Sequence, residues 1–290
     1  MSTLAKELTV VVTSYRRPEL IGETLERLAE QTWDGDWDVV IVDNLSDDET
    51  LDVIESWLPR FPVPARLVLA DERPGASYSR NYAVSFTNAR SVAFVDDDDH
   101  VGDGWLAALG TALREQPLVA SRMSYDRLNS PALAETTHFQ TERIGRHFDV
   151  PILDSAGSGW DRELWLSVGG MDERCGGVED TDIALRVARD TSVRPHFCDD
   201  ALYNARLRSS FSGALRRGLG RGKGEVLLYQ LHGDTFGVQA EPTWQTAGRW
   251  FRLLVRLPWL TSDRRMVWAE DLGRRIGRVH ACVERRVWFL

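Results

Sequence analysis

Four consecutive carboxylates, Asp96, Asp97, Asp98 and Asp99, follow directly on the apolar run Ser91-Val92-Ala93-Phe94-Val95. Negative charges packed this closely repel strongly, and a divalent cation carrying a polyphosphate is the simplest charge that would relieve them. In an extended backbone Asp96 and Asp98 face one side and could hold that cation, with Asp97 turned to the other. The cation would act as a Lewis acid, neutralising a leaving diphosphate. A second pair, Glu179-Asp180, opens a helical pattern after Cys175-Gly176-Gly177-Val178. One carboxylate of that pair could deprotonate an acceptor hydroxyl while the other hydrogen-bonds a neighbouring hydroxyl. Taken singly, each group has a plainer reading: a solvated turn for the first, a helix N-terminus for the second.

The elements that must position these residues alternate strand and helix. Residues 8–13 form a β-branched run of buried-strand type, and Pro18 suits the first turn of a helix carrying Leu20, Ile21, Thr24, Leu25 and Leu28 on one face. Residues 38–42 and 65–69 repeat the strand pattern, followed by helices through Leu51, Ile54 and Leu58 and over 77–89. The fourth strand delivers the aspartates. Strands this apolar on both faces predict a parallel α/β sheet with right-handed crossovers, in which ligands bind beyond the strand C-terminal ends. Residues 13–17, Asp43-Asn44 and the aspartate run then converge on one edge.

The chain of 290 residues is long enough for one large domain with an appendage. Residues 206–290 hold 16 Lys/Arg against 7 Asp/Glu and residues 1–205 hold 19 against 37, so the two parts stand at +9 and −18. An acidic body argues against nucleic acid as a partner. Cys175, Cys198 and Cys282 lack metal or disulfide spacing, and no apolar stretch reaches the ~20 residues that span a bilayer, so a cytoplasmic protein is expected.

Five segments in order resemble glycosyltransferase family 2, inverting enzymes of the GT-A, Rossmann-like nucleotide-binding fold. Val10-Val11-Val12-Thr13-Ser14-Tyr15-Arg16-Arg17-Pro18 is similar to the family's opening strand and nucleotide loop, and Val40-Ile41-Val42-Asp43-Asn44-Leu45-Ser46-Asp47 to its second strand and base-contacting turn. Ser79-Arg80-Asn81-Tyr82-Ala83 resembles the Arg-Asn helix, and Phe94 to Asp99 with Trp105-Leu106 the D-x-D segment. Val168-Gly169-Gly170-Met171-Asp172-Glu173, followed by Glu179-Asp180-Thr181-Asp182, resembles the Gly-Gly-Phe-Asp-Glu and Glu-Asp elements.

The resemblance implies an α/β catalytic domain over 1–225, with a nucleotide-sugar half to about 105 and an acceptor half from about 106, and a basic, Trp-rich helical extension over 226–290. It implies that Thr13, Tyr15 and Arg17 border the nucleotide base, that Asp43 and Asn44 contact base or ribose, and that Arg80 lies near base or phosphate. Asp98 and Asp96 would bind the divalent cation, Mn²⁺ or Mg²⁺, with Asp96 and Asp97 also placed to hold ribose. Asp180 would be the base and Glu179 an acceptor-binding carboxylate in one inverting displacement from a UDP or dTDP sugar. A nucleotidyltransferase and a non-catalytic sugar-nucleotide scaffold are the alternatives.

The family often has a histidine near Tyr203-Asn204-Ala205-Arg206, where this chain has none, and His196 stands earlier. Arg206, Arg208, Arg216, Arg217, Arg221 and Lys223, interleaved with glycines, read either as a mobile segment folding over a diphosphate or as a solvated basic loop. Trp160 could stack on an acceptor sugar or pack inside. Trp244, Trp250, Trp259, Trp268 and Trp288 among arginines suit helices on an anionic membrane, on the protein body or on a second subunit of a homodimer.

Overall fold

The computed structural model describes residues 6–207, 210–240, 243–256 and 264–289; the side chains of Trp244 and Leu254, and all of Arg208 and Trp259, lie outside the described residues. The chain begins β1 (Leu8–Ser14), α1 (Pro18–Ala29), β2 (Trp37–Asp43), α2 (Thr50–Trp57), β3 (Ala65–Leu69), α3 (Ala76–Ser85), β4 (Ser91–Asp96) and β5 (His100–Val101). It continues through α4 (Trp105–Leu113), β6 (Leu118–Ser124), α5 (Pro131–Ala134), β7 (Gly145–His147), β8 (Val150–Ile152), β9 (Ser158–Asp161), α6 (Arg162–Ser167), α7 (Glu179–Asp190) and β10 (His196–Asn204). Three long helices follow: α8 (Phe211–His232), α9 (Thr243–Arg256) and α10 (Arg264–Arg285).

Eight strands make one sheet in the order β3-β2-β1-β4-β9-β6-β10-β5, and β7 and β8 form a separate hairpin. The first four run parallel, β9 is antiparallel to β4 and β6, and β10 is parallel to β6 but antiparallel to β5. The strands read as unbroken apolar runs because both faces are covered. Val10, Val12 and Ile41 pack with Ile21, Leu25 and Ile54 of α1 and α2 on one side. Val11, Val40 and Phe94 pack with Val84, Trp165 and Ile183 of α3, α6 and α7 on the other. The parallel register sets Thr13 beside Asp96 and Ser14 beside Asp43, so the strand ends deliver their polar residues level with one another.

Two open readings are decided here. Trp160 lies on β9 with no exposed surface and donates its ring N–H to Ser158 Oγ at 2.9 Å, so it is a packing residue and not a platform for a sugar. His196 begins β10 beside Val119, whereas the other end of that strand, Tyr203 and Asn204, pairs with Val101 and His100 next to the aspartates. The length of the strand separates His196 from the acidic run.

From Arg216 to Lys223 the Arg-Gly segment is neither loop nor flap. It lies in α8, which runs unbroken through residue 225 and packs against α10, while Arg206 precedes that helix. Side chains at Gly218 and Gly222 would run into the backbone of Glu270 and Arg274, and at Gly273 and Gly277 into that of Leu215 and Leu219. These contacts advance together along both helices, which therefore run parallel. Glycine lowers helix propensity, yet here it lets two backbones touch, and that packing outweighs the local preference. Between the helices the buried Glu225 pairs with Arg274 and, at 2.6 Å, with Arg278. Gly222→Val should force the helices apart at a cost of at least about 1–3 kcal/mol, read as a lower urea midpoint, whereas the same change at Gly220, where nothing lies within 4 Å, should cost far less.

Candidate active site

β4 ends inside the protein, so its aspartates meet backbone amides and buried cations before they meet water. The Asp96 amide donates to the Tyr203 hydroxyl at 3.0 Å, and Asp96 Oδ1 accepts from Arg80 Nη2 at 2.7 Å and Thr13 Oγ1 at 3.3 Å. Asp97 turns away and accepts the Tyr15 amide at 2.8 Å. Arg17 bridges the next pair, with Nε 3.9 Å from Asp97 and Nη2 3.6 Å from Asp98. Asp99 accepts the Arg206 amide at 2.7 Å, while the Arg206 Nε donates to the Asp98 carbonyl at 3.0 Å. Burial, reinforced by the like charges of Asp98 and Asp96, pushes Asp97 up to about 7 against the pull of the Tyr15 amide and Arg17. Burial and the same neighbours raise Asp99 well above the carboxylate range.

A second acidic group faces the first across Arg80, which is buried on α3. Burial works against that guanidinium, but Asp96, Asp180 and Glu179 outweigh it and hold the proton more firmly than usual. Asp180 occupies the first turn of α7, and its Oδ1 accepts from the Ser155 hydroxyl and, at 3.2 Å, from the Ser155 amide. Burial raises Asp180 well above its ordinary value, and Asp154 and Glu179 add to the rise. Asp154, pinned by the Ala156 amide at 3.2 Å, is raised to about 6 by burial and by Asp96. Glu179 Oε2 is buried and has no hydrogen-bond partner among the described residues.

The structure thus gathers Thr13, Arg17, Arg80, Asp96, Asp97, Asp98, Glu179 and Asp180 at one edge of the sheet. Tyr15 stands at that edge with its ring half exposed. Asp43 is buried at the end of β2, where its carboxylate accepts the Ser46 amide and hydroxyl. Asn44 is placed differently from expectation. Its Nδ2 donates to the carbonyls of Ala70 at 2.5 Å and Arg73 at 2.8 Å, and its Oδ1 accepts the Gly75 amide at 2.7 Å. Both amide hydrogens are committed to the loop before α3, so the side chain shapes that loop and has no donor for a base.

Sequence reasoning missed Asp154 and Ser155, which follow the β7–β8 hairpin, and Tyr203. The one available signal was the polar Asp154-Ser155 step just before Gly157-Ser158-Gly159, a glycine-rich turn adjoining a strand.

The donor set fits a divalent cation. Among the described residues, Asp96 to Asp99, Asp154, Glu179 and Asp180 bring seven carboxyl groups, and Arg17, Arg80 and Arg206 bring three guanidinium groups. The upward shifts of Asp97, Asp99, Asp154 and Asp180 reflect burial and that imbalance. Asp172, Cys175 and Asp182 also lie within reach of one another. There, however, Asp172 pairs with Arg174 and the buried Asp182 with Arg186 at 2.7 Å and His232 at 2.8 Å, an ion-pair network already neutralised by its own partners.

Comparison with known proteins bears on this arrangement. Residues 9–152 match the family model Glycosyl transferase family 2. A poly(ribitol-phosphate) beta-glucosyltransferase of Bacillus spizizenii is 27% identical over 33% of this chain and 15% of its own length, so the chain spans a minor part of that relative. Among solved structures, a mannosyltransferase of Pyrobaculum calidifontis in complex with GDP-Man and Mn²⁺ superposes with a TM-score of 0.63 at 18% identity, covering 96% of this chain and 88% of that one. Staphylococcus aureus TarS 1-349 in complex with UDP-GlcNAc gives 0.55 at 16% identity, covering 98% and 93%. These likenesses show the fold, the GT-A arrangement that the sequence implied.

Because Asp97 and Asp154 hold protons more tightly folded than unfolded, the folded state carries extra protons between the ordinary value near 4 and about 6–7. Their contribution to stability therefore falls as pH rises through that window. Arg80→Met, which leaves the carboxylates without their buried counter-charge, should destabilise the chelator-treated protein by about 3–5 kcal/mol at pH 8. Thermal melts of variant and parent should show that deficit shrinking as the pH is lowered toward 5.

Proposed function

We propose, from the match of residues 9–152 to the glycosyltransferase family 2 model, that this chain moves a sugar from a nucleoside-diphosphate sugar to an acceptor hydroxyl with inversion at the anomeric carbon. The observation that carries the reading is the meeting of two acidic groups on Arg80: Asp96 at the end of the central strand, and Asp180 with Glu179 at the start of α7. One group suits the leaving diphosphate and the other the incoming hydroxyl.

Asp180 acts as general base. The Ser155 hydroxyl and amide hold Oδ1, which leaves Oδ2 to take the acceptor proton. As that proton leaves, the acceptor oxygen forms its bond to the anomeric carbon and the bond from that carbon to the diphosphate oxygen breaks. The diphosphate keeps the electron pair, and a single in-line displacement inverts the centre. The rise in the Asp180 pKa makes the ionised form a stronger base than an exposed carboxylate. Glu179, with a buried oxygen available, receives a neighbouring acceptor hydroxyl. A divalent cation, Mn²⁺ or Mg²⁺, held by Asp96 and Asp98 would supply Lewis-acid neutralisation of the leaving diphosphate. The exposed Tyr15 ring, with Thr13, Arg17 and Asp43, borders the nucleotide of a UDP or dTDP sugar, and Asn44 shapes the loop beneath it.

Asp180→Asn should bind nucleotide and Mn²⁺ with near-parent affinity by calorimetry while transfer falls about 10²–10⁴-fold; near-normal turnover would remove Asp180 as the base. The pH profile offers a second check, because the base must be ionised and its pKa is raised. The acid limb of kcat/KM should lie above the ordinary carboxylate value of about 4. Asp154→Asn, which removes a negative neighbour that raises Asp180, should move that limb to lower pH.

A further inference from the structure

The last two helices carry a face that the transfer chemistry does not use. α9 and α10 flank a cavity of about 70 Å³ lined by Thr246, Arg249 and Trp250 on one side and by Asp271, Arg274, Arg275, Arg278 and Val279 on the other. One water needs roughly 10–15 Å³ by the same measure, so the space suits several waters or one phosphate-sized group. Glu225 holds both Arg274 and Arg278 from behind, and Asp271 holds Arg275 at 3.0 Å. Three arginines of α10 therefore share two carboxylates at this cavity.

Exposed apolar side chains occur on the same two helices. Leu272, Ile276, Val279 and Val283 follow helical spacing along α10, and Val279 both lines the cavity and faces outward. Val283 is 76% exposed, Phe251 on α9 67% and Trp288 just beyond α10 61%. Exposed large apolar residues on both helices are what a contact surface needs. No helix among the described residues is long and apolar enough to cross a membrane.

We propose that the α9–α10 face docks on an anionic lipid surface, with the arginine-lined cavity receiving a lipid phosphate and the flanking apolar side chains entering the interface. Charge complementarity selects this occupant. The part of the chain that carries these helices stands at +9 and the body at −18, so an anionic surface attracts one end and repels the other. A two-fold dimer through the same face would set the arginines against their own copies. The proposal stands apart from the transfer chemistry, since vesicle binding needs no turnover.

The test is co-sedimentation of the full chain with vesicles of phosphatidylcholine alone and of phosphatidylcholine with phosphatidylglycerol, at low and high salt. Binding should require the anionic lipid and fade with salt. Arg249→Ala and Arg275→Ala should each weaken it about fivefold, and Phe251→Ser with Val283→Ser should weaken it even at low salt. Phe251→Ser alone, at an exposed position, tests the same point if the double variant melts early. Absence of binding to anionic vesicles at low salt, or equal binding by folded variants, overturns the proposal. So does stabilisation by inorganic phosphate without vesicle binding, or a dimer that Phe251→Ser dissolves while vesicles are ignored.

Discussion

Arg80 lies buried on α3 with the Asp96 carboxylate on its Nη2 and the charges of Asp154, Asp180 and Glu179 within reach. A guanidinium taken out of water costs several kcal/mol unless anions are delivered to it in good geometry. Here they arrive from three elements that are distant in the chain: the end of β4, the loop after the β7–β8 hairpin and the first turn of α7. The parallel register of β1 and β4 fixes the first, and Ser155 ties the second to the third. None of the acidic groups could be held so close to the others without that central charge. Nor does the charge balance them fully, and burial with mutual repulsion shifts several of them upward from the ordinary carboxylate range.

The neighbour of Arg80 explains why the arginine stays where it is. Asn81 donates to the Met171 carbonyl at 2.8 Å and accepts the Met171 amide at 2.9 Å, pairing with the turn as a strand would. That turn is made by Gly169 and Gly170, both at positive φ, and a side chain at Gly170 would strike the Asn81 amide. The Arg-Asn step on α3 and the Gly-Gly-Met turn before α7 are thus two halves of one contact. Their joint presence in the sequence carries more weight than either alone.

The parts that could be read from the sequence are those in which local pattern and tertiary role agree. β1, β2 and β4 are apolar on both faces because both faces are covered, and the aspartate run falls where the parallel register ends. Glu179-Asp180 does begin a helix. Asp154 and Ser155 stayed hidden because they follow two short strands with no usable alternation and are brought to Asp180 only by packing. Asn44 was misplaced because an asparagine suited to a ligand is equally suited to bridging loop carbonyls, and only the position of Ala70 and Arg73 decides. The Arg-Gly segment was misread for a related reason: its glycines disfavour a helix locally, and the partner that makes them favourable, α10, lies about fifty residues further on.

That helix pair also reaches the base. The buried His232 near the end of α8 contacts Asp182 at 2.8 Å, two residues beyond Asp180 on α7. Gly177, at positive φ, sits against the α8 backbone near Arg221, and Gly224 leaves room for Val178, the residue just before Glu179. The glycines of α8 therefore serve two faces, Gly218 and Gly222 toward α10 and Gly224 toward the entry to α7. A side chain at any of them would displace either the partner helix or the segment that sets the position of Asp180. The composition boundary near residue 206, where the charge changes sign, is for this reason not a mechanical one. The basic end is built into the wall that holds α7, and the position of the carboxylates on that helix depends on the packing of α8.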